Sequence, residues 1–190
     1  MSPDIREIWT RIERALAQHV PETAATLAPP ASDEEIAELE AAIGLHLPDD
    51  YRQSLRVHNG QIDPTKCHHL TIEGLLATTK QVADTWRMLT EIDDGFRRRE
   101  PNWDDPQRGA WWDRRWVPFT IGDGDCLCIN LNPVVGRGGQ FGEVVCHLNS
   151  NPHEPGIAAS YGDWLSAVAT KLEREDFVIN EWGLLELFVP

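Results

Sequence analysis

The chain has 190 residues, 41% hydrophobic and 25% charged, with 31 Asp and Glu against 17 Lys and Arg, a formal net charge of −14. That length suits one domain with a substantial core, and an acidic surplus of this size argues against a general nucleic-acid binder, which needs cations to displace phosphate counterions. No run approaches the roughly 18 apolar residues of a membrane span, the polar start Met1-Ser-Pro-Asp4 lacks a signal-peptide pattern, and the four scattered cysteines do not form the framework of a small secreted domain. Reduced, mostly buried thiols in the cytoplasm are the expectation.

Ile5, Ile8, Trp9, Ile12, Ala15 and Leu16 recur at helical spacing, which predicts a first helix over 4–19. Pro21 and the run Leu27-Ala-Pro-Pro-Ala31 make a stiff connector. Ser32-Asp-Glu-Glu35 is a capping box. Ile36, Leu39 and Ile43 then share a face, and Gly44 ends the helix. Pro48 and Asp49 open another helix, whose inward face carries Tyr51, Leu55 and His58 and which closes at Asn59-Gly60. Residues 61–70 read as loop, Leu75 and Leu76 as a short buried piece, and 79–92 as a further helix with Val82, Trp86 and Leu89 inward. Residues 93–115 read as irregular, with Trp103, Trp111 and Trp112 among Arg and Asp; a loop this long is often functional.

The segment Trp116 to Pro133 reads as a strand entry, a Gly122-Asp-Gly-Asp125 turn and a strand with little charge on either face. Leu127, Ile129 and Leu131 point one way and Cys126, Cys128 and Asn130 the other, which places this strand centrally in a covered sheet. Strands are expected at 116–121, 125–131 and 142–148, a turn-rich connector at 149–156, a helix from Gly162 through Leu172 and a last strand or helix near 182–189.

No catalytic set stands out. Cys67-His68-His69, Cys126-x-Cys128 and Cys146-His147 offer zinc-ligand types, but not the paired Cys-x(2–4)-Cys spacing of structural zinc sites, so no metal is expected. Asp123-Gly-Asp125 lacks the remaining ligands of a calcium loop. Gly136-Arg-Gly-Gly139 lacks the Lys-Ser/Thr ending of a phosphate loop, and no nucleophile elbow appears. Two surfaces invite partners. Between residues 31 and 50 lie Asp33, Glu34, Glu35, Glu38, Glu40, Asp49 and Asp50 with no Lys or Arg, either a solvated face or a dock for a cationic partner. Trp103, Trp111 and Trp112 with their arginines read equally as interface anchors or as a lid with arginine stacked on indole.

Taken in order, these pieces resemble the SUKH superfamily, which includes bacterial immunity proteins against polymorphic toxins and fungal regulators of cell-wall synthesis and killer-toxin resistance. The resemblance rests on the Ser32–Gly44 helix, Leu47-Pro-Asp-Asp-Tyr51, Asn59-Gly60 and Leu75-Leu76. It continues through Trp112, Trp116-x-Pro-Phe119, Gly122-Asp-Gly-Asp125 with its strand, Gly142-Glu-Val144 and Ser160-Tyr-x-Asp-Trp-Leu165. It implies an α+β domain over 32–172, a mainly antiparallel sheet with helices packed around it. Residues 1–31 would then be an N-terminal helix and connector, and 173–190 an extension packed on the same domain. It also implies no catalytic residues, no cofactor and a role in binding other proteins. The family strand commonly carries acids where Asn130 and Asn132 stand, and Gln where Glu143 stands, so any partner contact made by those acids in relatives is in question here.

The leading expectation is an immunity protein, monomeric or weakly dimeric, that binds a cognate protein toxin with a basic surface and touches neither nucleic acid nor membrane. Its expected contact residues are Glu34, Glu38, Asp49, Asp50, Arg98, Trp103 and Trp112. The alternative is a regulatory scaffold of cell-envelope synthesis or signalling. A small hydrolase using Cys126 or Cys128 with a histidine comes third.

Overall fold

The computed structural model describes residues 4–63, 65, 68–100, 111–122, 124–132, 140–149, 154–181 and 184–188. In chain order the elements are α1 (Ile5–His19), α2 (Pro21–Ala24), α3 (Asp33–Ile43), α4 (Asp49–Leu55), β1 (Leu75–Leu76), α5 (Thr79–Arg99), β2 (Trp116–Pro118), β3 (Thr120–Ile121) and β4 (Cys126–Asn130). They continue as β5 (Val144–His147), β6 (Glu154–Ala158), α6 (Tyr161–Glu173), β7 (Val178–Ile179) and β8 (Leu185–Glu186). The fold is α+β and antiparallel, as the motifs imply. A four-stranded sheet runs β2-β4-β5-β6, with two-stranded pairings β1-β3 and β7-β8 beside it.

The register explains why β4 carries little charge on either face. Leu127 lies opposite Cys146, and Ile129 opposite both Val117 and Val144. These side chains face the main core built by α1, α3, α4 and α6. Cys126 lies opposite His147, Cys128 opposite Val145 and Pro118, and Asn130 opposite Trp116. That face packs with Trp112 and Leu89 in a second cluster beneath α5. A sheet covered on both sides needs apolar or internally satisfied residues at every position, and β4 is buried along its whole length.

Local chemistry sets the helix boundaries. Ser32 accepts from the Glu35 amide at 3.1 Å while Glu35 Oε2 accepts from the Ser32 amide at 2.8 Å, and Gly44 closes α3 in the left-handed conformation at φ 69°. A second reciprocal box, Thr78 with Gln81, starts α5. That helix runs to Arg99, well past the expected end at 92, and within the added length Asp93 and Arg97 pair one turn apart at 2.6 Å, a contact that supports the helix. The Pro21 connector contains a short helix, since proline is tolerated in a first turn. The stretch expected as a connector at 149–156 supplies the start of β6, and 178–179 forms β7, neither of which the sequence periodicity predicted.

The buried Gln61 side chain anchors the described residues of the 61–70 loop. Gln61 Nε2 donates to Thr26 Oγ1 at 2.7 Å and to the His68 carbonyl at 2.8 Å, while Oε1 accepts from the Leu70 and Leu76 amides at 3.3 and 3.0 Å. All its hydrogen-bonding sites are used, which is what a buried amide requires. Beside it, Ser54 accepts from Trp9 Nε1 at 2.8 Å and bonds the Tyr161 hydroxyl at 2.9 Å, tying α1, α4 and α6 together.

Candidate functional site

The acidic stretch folds into a less uniform surface than its sequence suggests. Asp33 pairs with Arg56 at 2.8 Å, Arg52 pairs with Asp49, and Glu40 lies 3.6 Å from Arg52. Cations just beyond residue 50 therefore compensate much of the run. Asp50 is half-buried and structural: one oxygen accepts from the Tyr51 amide and the other from the Gly162 amide at 2.8 Å, placing a carboxylate at the start of α6. Glu34 and Glu38 remain exposed on α3, with no ion pair to any described residue. Arg98 is exposed near the end of α5.

Trp103 lies outside the described residues. Trp112 is corrected from a surface contact to a core residue: it is only 1% exposed, and its Nε1 donates to Thr90 Oγ1 at 3.1 Å. Trp111, Trp112 and Trp116 enclose His147, with ring centroids at 5.0, 5.6 and 6.5 Å. Trp111 Nε1 donates to the Asn149 carbonyl at 3.1 Å. Trp111 and Trp112 thus help to roof the second core. Its signal in the sequence was Trp112, Trp116 and the Cys126/Cys128 face, which together need a hydrophobic cover.

The described thiols are poorly placed for nucleophilic chemistry. Cys126 and Cys128 are buried with their sulfurs 3.6 Å apart. Burial first, and then the neighbouring Cys126, push the Cys128 thiol well above its ordinary range, which disfavours the thiolate that attacks substrates. Cys146 and His147 point to opposite faces of β5, so they cannot act as a pair. Cys67 lies outside the described residues. Among the described residues no group of three or more His, Cys, Asp or Glu is arranged to hold a metal, and no helix is long and apolar enough to cross a membrane.

Asn130, Asn132 and Glu143 form an internal network. Asn130 Nδ2 donates to Glu143 Oε1 at 2.9 Å, while Asn130 Oδ1 accepts from Trp116 Nε1 at 3.2 Å and from the Asn132 amide at 2.8 Å. Asn132 Nδ2 donates to Asp113 Oδ2 at 2.6 Å. Asn130 and Asn132 are at most 2% exposed. These side chains are engaged inside the fold, tying the end of β4 to the start of β5.

Sequence reasoning missed the outward side of α5. Met88 and Ile92 stand exposed one turn apart, and with Gly95, Phe96 and the final arginines they line an open groove of about 360 Å³. The signal was present as a second, weaker apolar stripe running beside the inward Val82 and Leu89.

A family model described as SMI1 / KNR4 family (SUKH-1) matches residues 30–167. The cell wall biosynthesis/cell cycle regulator smi1 of Schizosaccharomyces pombe is 23% identical over 196 residues, covering 95% of this chain and 38% of that protein. The glucan synthesis regulatory protein of Neurospora crassa is 20% identical over 210 residues, covering 91% of this chain and 39% of that protein. F-box only protein 3 of Homo sapiens is 36% identical over 101 residues, 50% of this chain and 20% of that protein. The chain therefore spans well under half the length of each of these relatives.

Proposed function

The chain belongs to the SMI1 / KNR4 family (SUKH-1), the superfamily its motifs resemble, and from that premise we propose that it is a non-catalytic, protein-binding regulatory domain acting in the cytoplasm on cell-envelope synthesis or its signalling. The observation that carries this reading is similarity along nearly the whole chain to two proteins named as regulators of cell-wall and glucan synthesis. The burial of Cys126, Cys128 and His147 supports it, because the described residues best suited to nucleophilic chemistry are sealed in a core. Glu34, Glu38, Asp49 and Arg98 are the exposed charged side chains offered as contacts.

The second reading, an immunity protein that neutralises a toxin, is favoured by the net charge of −14 and by the exposed Glu34 and Glu38, which pair with no cation among the described residues. Complementary charge speeds association with a basic surface. Affinity capture from the native lysate, with mass spectrometry after a high-salt wash, separates the two. Envelope-synthesis or signalling proteins support the regulator, whereas a single stoichiometric toxin-like partner overturns it in favour of immunity. With a toxin in hand, replacing Glu34 and Glu38 by Lys should slow association and flatten its salt dependence; unchanged kinetics would remove α3 from the interface.

A further inference from the structure

We propose that the outward face of α5 between Met88 and Arg99 is the docking site for an acidic amphipathic segment of a partner protein, an apolar side chain flanked by carboxylates. Met88 and Ile92 are 50% and 39% exposed, one turn apart, on the side of the helix away from buried Val82, Leu89 and Asp93. Exposed apolar pairs at this spacing form a seat for one face of an incoming amphipathic segment. Gly95 lies one turn further along. A Cβ there would meet nothing within 4 Å, and its backbone is not left-handed. Neither packing nor conformation within this chain therefore calls for glycine, although glycine weakens a helix interior relative to alanine. Its effect is to open the groove between Ile92 and Arg99 so that another chain can approach the helix closely.

Charge selects the occupant. Arg97 is turned to Asp93 at 2.6 Å, but Arg98 and Arg99 are exposed on the rim and make no ion pair with a described residue. Glu91 also reaches the rim. Two uncommitted guanidiniums beside an apolar floor, in a chain of net charge −14, make a local cationic site for carboxylates, and arginine is the residue best suited to bind them in paired hydrogen bonds.

This inference rests on the protein-binding reading above. Its test uses the full chain and a labelled helical peptide of about 16 residues with Leu on one face and Glu on the other, followed by fluorescence anisotropy. A counterpart carries Lys in place of Glu. The acidic peptide should bind, and Ile92→Asp, or Arg98→Glu with Arg99→Glu, should each weaken it at least about tenfold. Gly95→Leu should fill the groove and weaken binding as much while raising the thermal midpoint, which separates loss of the site from loss of the fold. Equal binding of the Lys peptide, binding that survives Gly95→Leu, or a Kd weaker than about 1 mM for the acidic peptide overturns the proposal. So does a concentration-dependent dimer in sedimentation that Ile92→Asp dissolves, which would make a second copy the occupant. If Gly95→Leu still captures the native partner, the groove is wrong and the protein-binding reading stands.

Discussion

Exchanging the carboxylate and the amide between positions 130 and 143 tests whether this pair is an internal latch. In Asn130→Asp, the oxygen that replaces Nδ2 faces Glu143 Oε1 at the present 2.9 Å, while the other oxygen still accepts from Trp116 and Asn132. Only the donor to Glu143 is lost. Two like charges at 2.9 Å repel by about 6 kcal/mol at an effective dielectric of 20, so the folded pair lowers its energy by keeping one proton. Holding that proton at pH 7, from an ordinary carboxyl near 4, caps the cost at about 4 kcal/mol. We expect Asn130→Asp to lose about 3–4 kcal/mol at pH 7 and about 1–2 at pH 5. The sign follows because the folded state holds a proton that the unfolded chain releases above about pH 4, so the deficit grows as pH rises. Glu143→Gln alone should cost about 1–2 kcal/mol for the charge-assisted bond. The double variant, in which the Gln amide donates to the Asp carboxylate, should return to within about 1 kcal/mol of the parent. Urea unfolding at both pH values supplies the cycle. Additivity within about 0.5 kcal/mol, or a deficit that ignores pH, would refute the reasoning.

Three further outcomes are expected. Ser54→Ala strands Trp9 Nε1 and the Tyr161 hydroxyl and should cost about 1–3 kcal/mol by urea unfolding; a loss below about 0.5 would mean that the core repairs itself. Burial pushes both the Tyr51 and Tyr161 phenols up, with the neighbouring Tyr161 adding to the shift at Tyr51. The unfolded chain ionises them near pH 10, so stability should fall above that pH by up to about 1.4 kcal/mol per unit per tyrosine, and Tyr161→Phe should roughly halve the slope; a flat profile to about pH 11 rejects this. In native protein, iodoacetamide should modify Cys128 at least about 100-fold more slowly than in urea, read by peptide mass spectrometry, and rapid native labelling would reopen the hydrolase reading.

The sequence was most legible where one residue does a local job. Ser32, Glu35 and Gly44 mark α3 because capping and the left-handed stop are chemistry within a few residues. The alternation along Cys126–Asn130 predicts a two-faced central strand because side-chain direction is fixed by backbone geometry. What escaped depends on distant partners. Nothing near Asp50 signals that its carboxylate meets Gly162, and Arg52 and Arg56 neutralise acids on the surface only once α3 and α4 pack. Trp112 sits in a charged stretch and reads equally as an interface anchor or a lid until β4 and β5 bring His147 beneath it. The end of α5 was missed because Asp93 and Arg97, as charges, look like loop until seen one turn apart.

Both outer strands of the four-stranded sheet contain a proline, Pro118 in β2 and Pro155 in β6. A proline nitrogen has no hydrogen to offer, so neither margin presents an unbroken row of donors to a passing extended chain. Growth of the sheet by templating, whether onto a partner's strand or onto a neighbour of the same kind during crowding, is interrupted at both ends. The sheet itself stands as the wall between two cores.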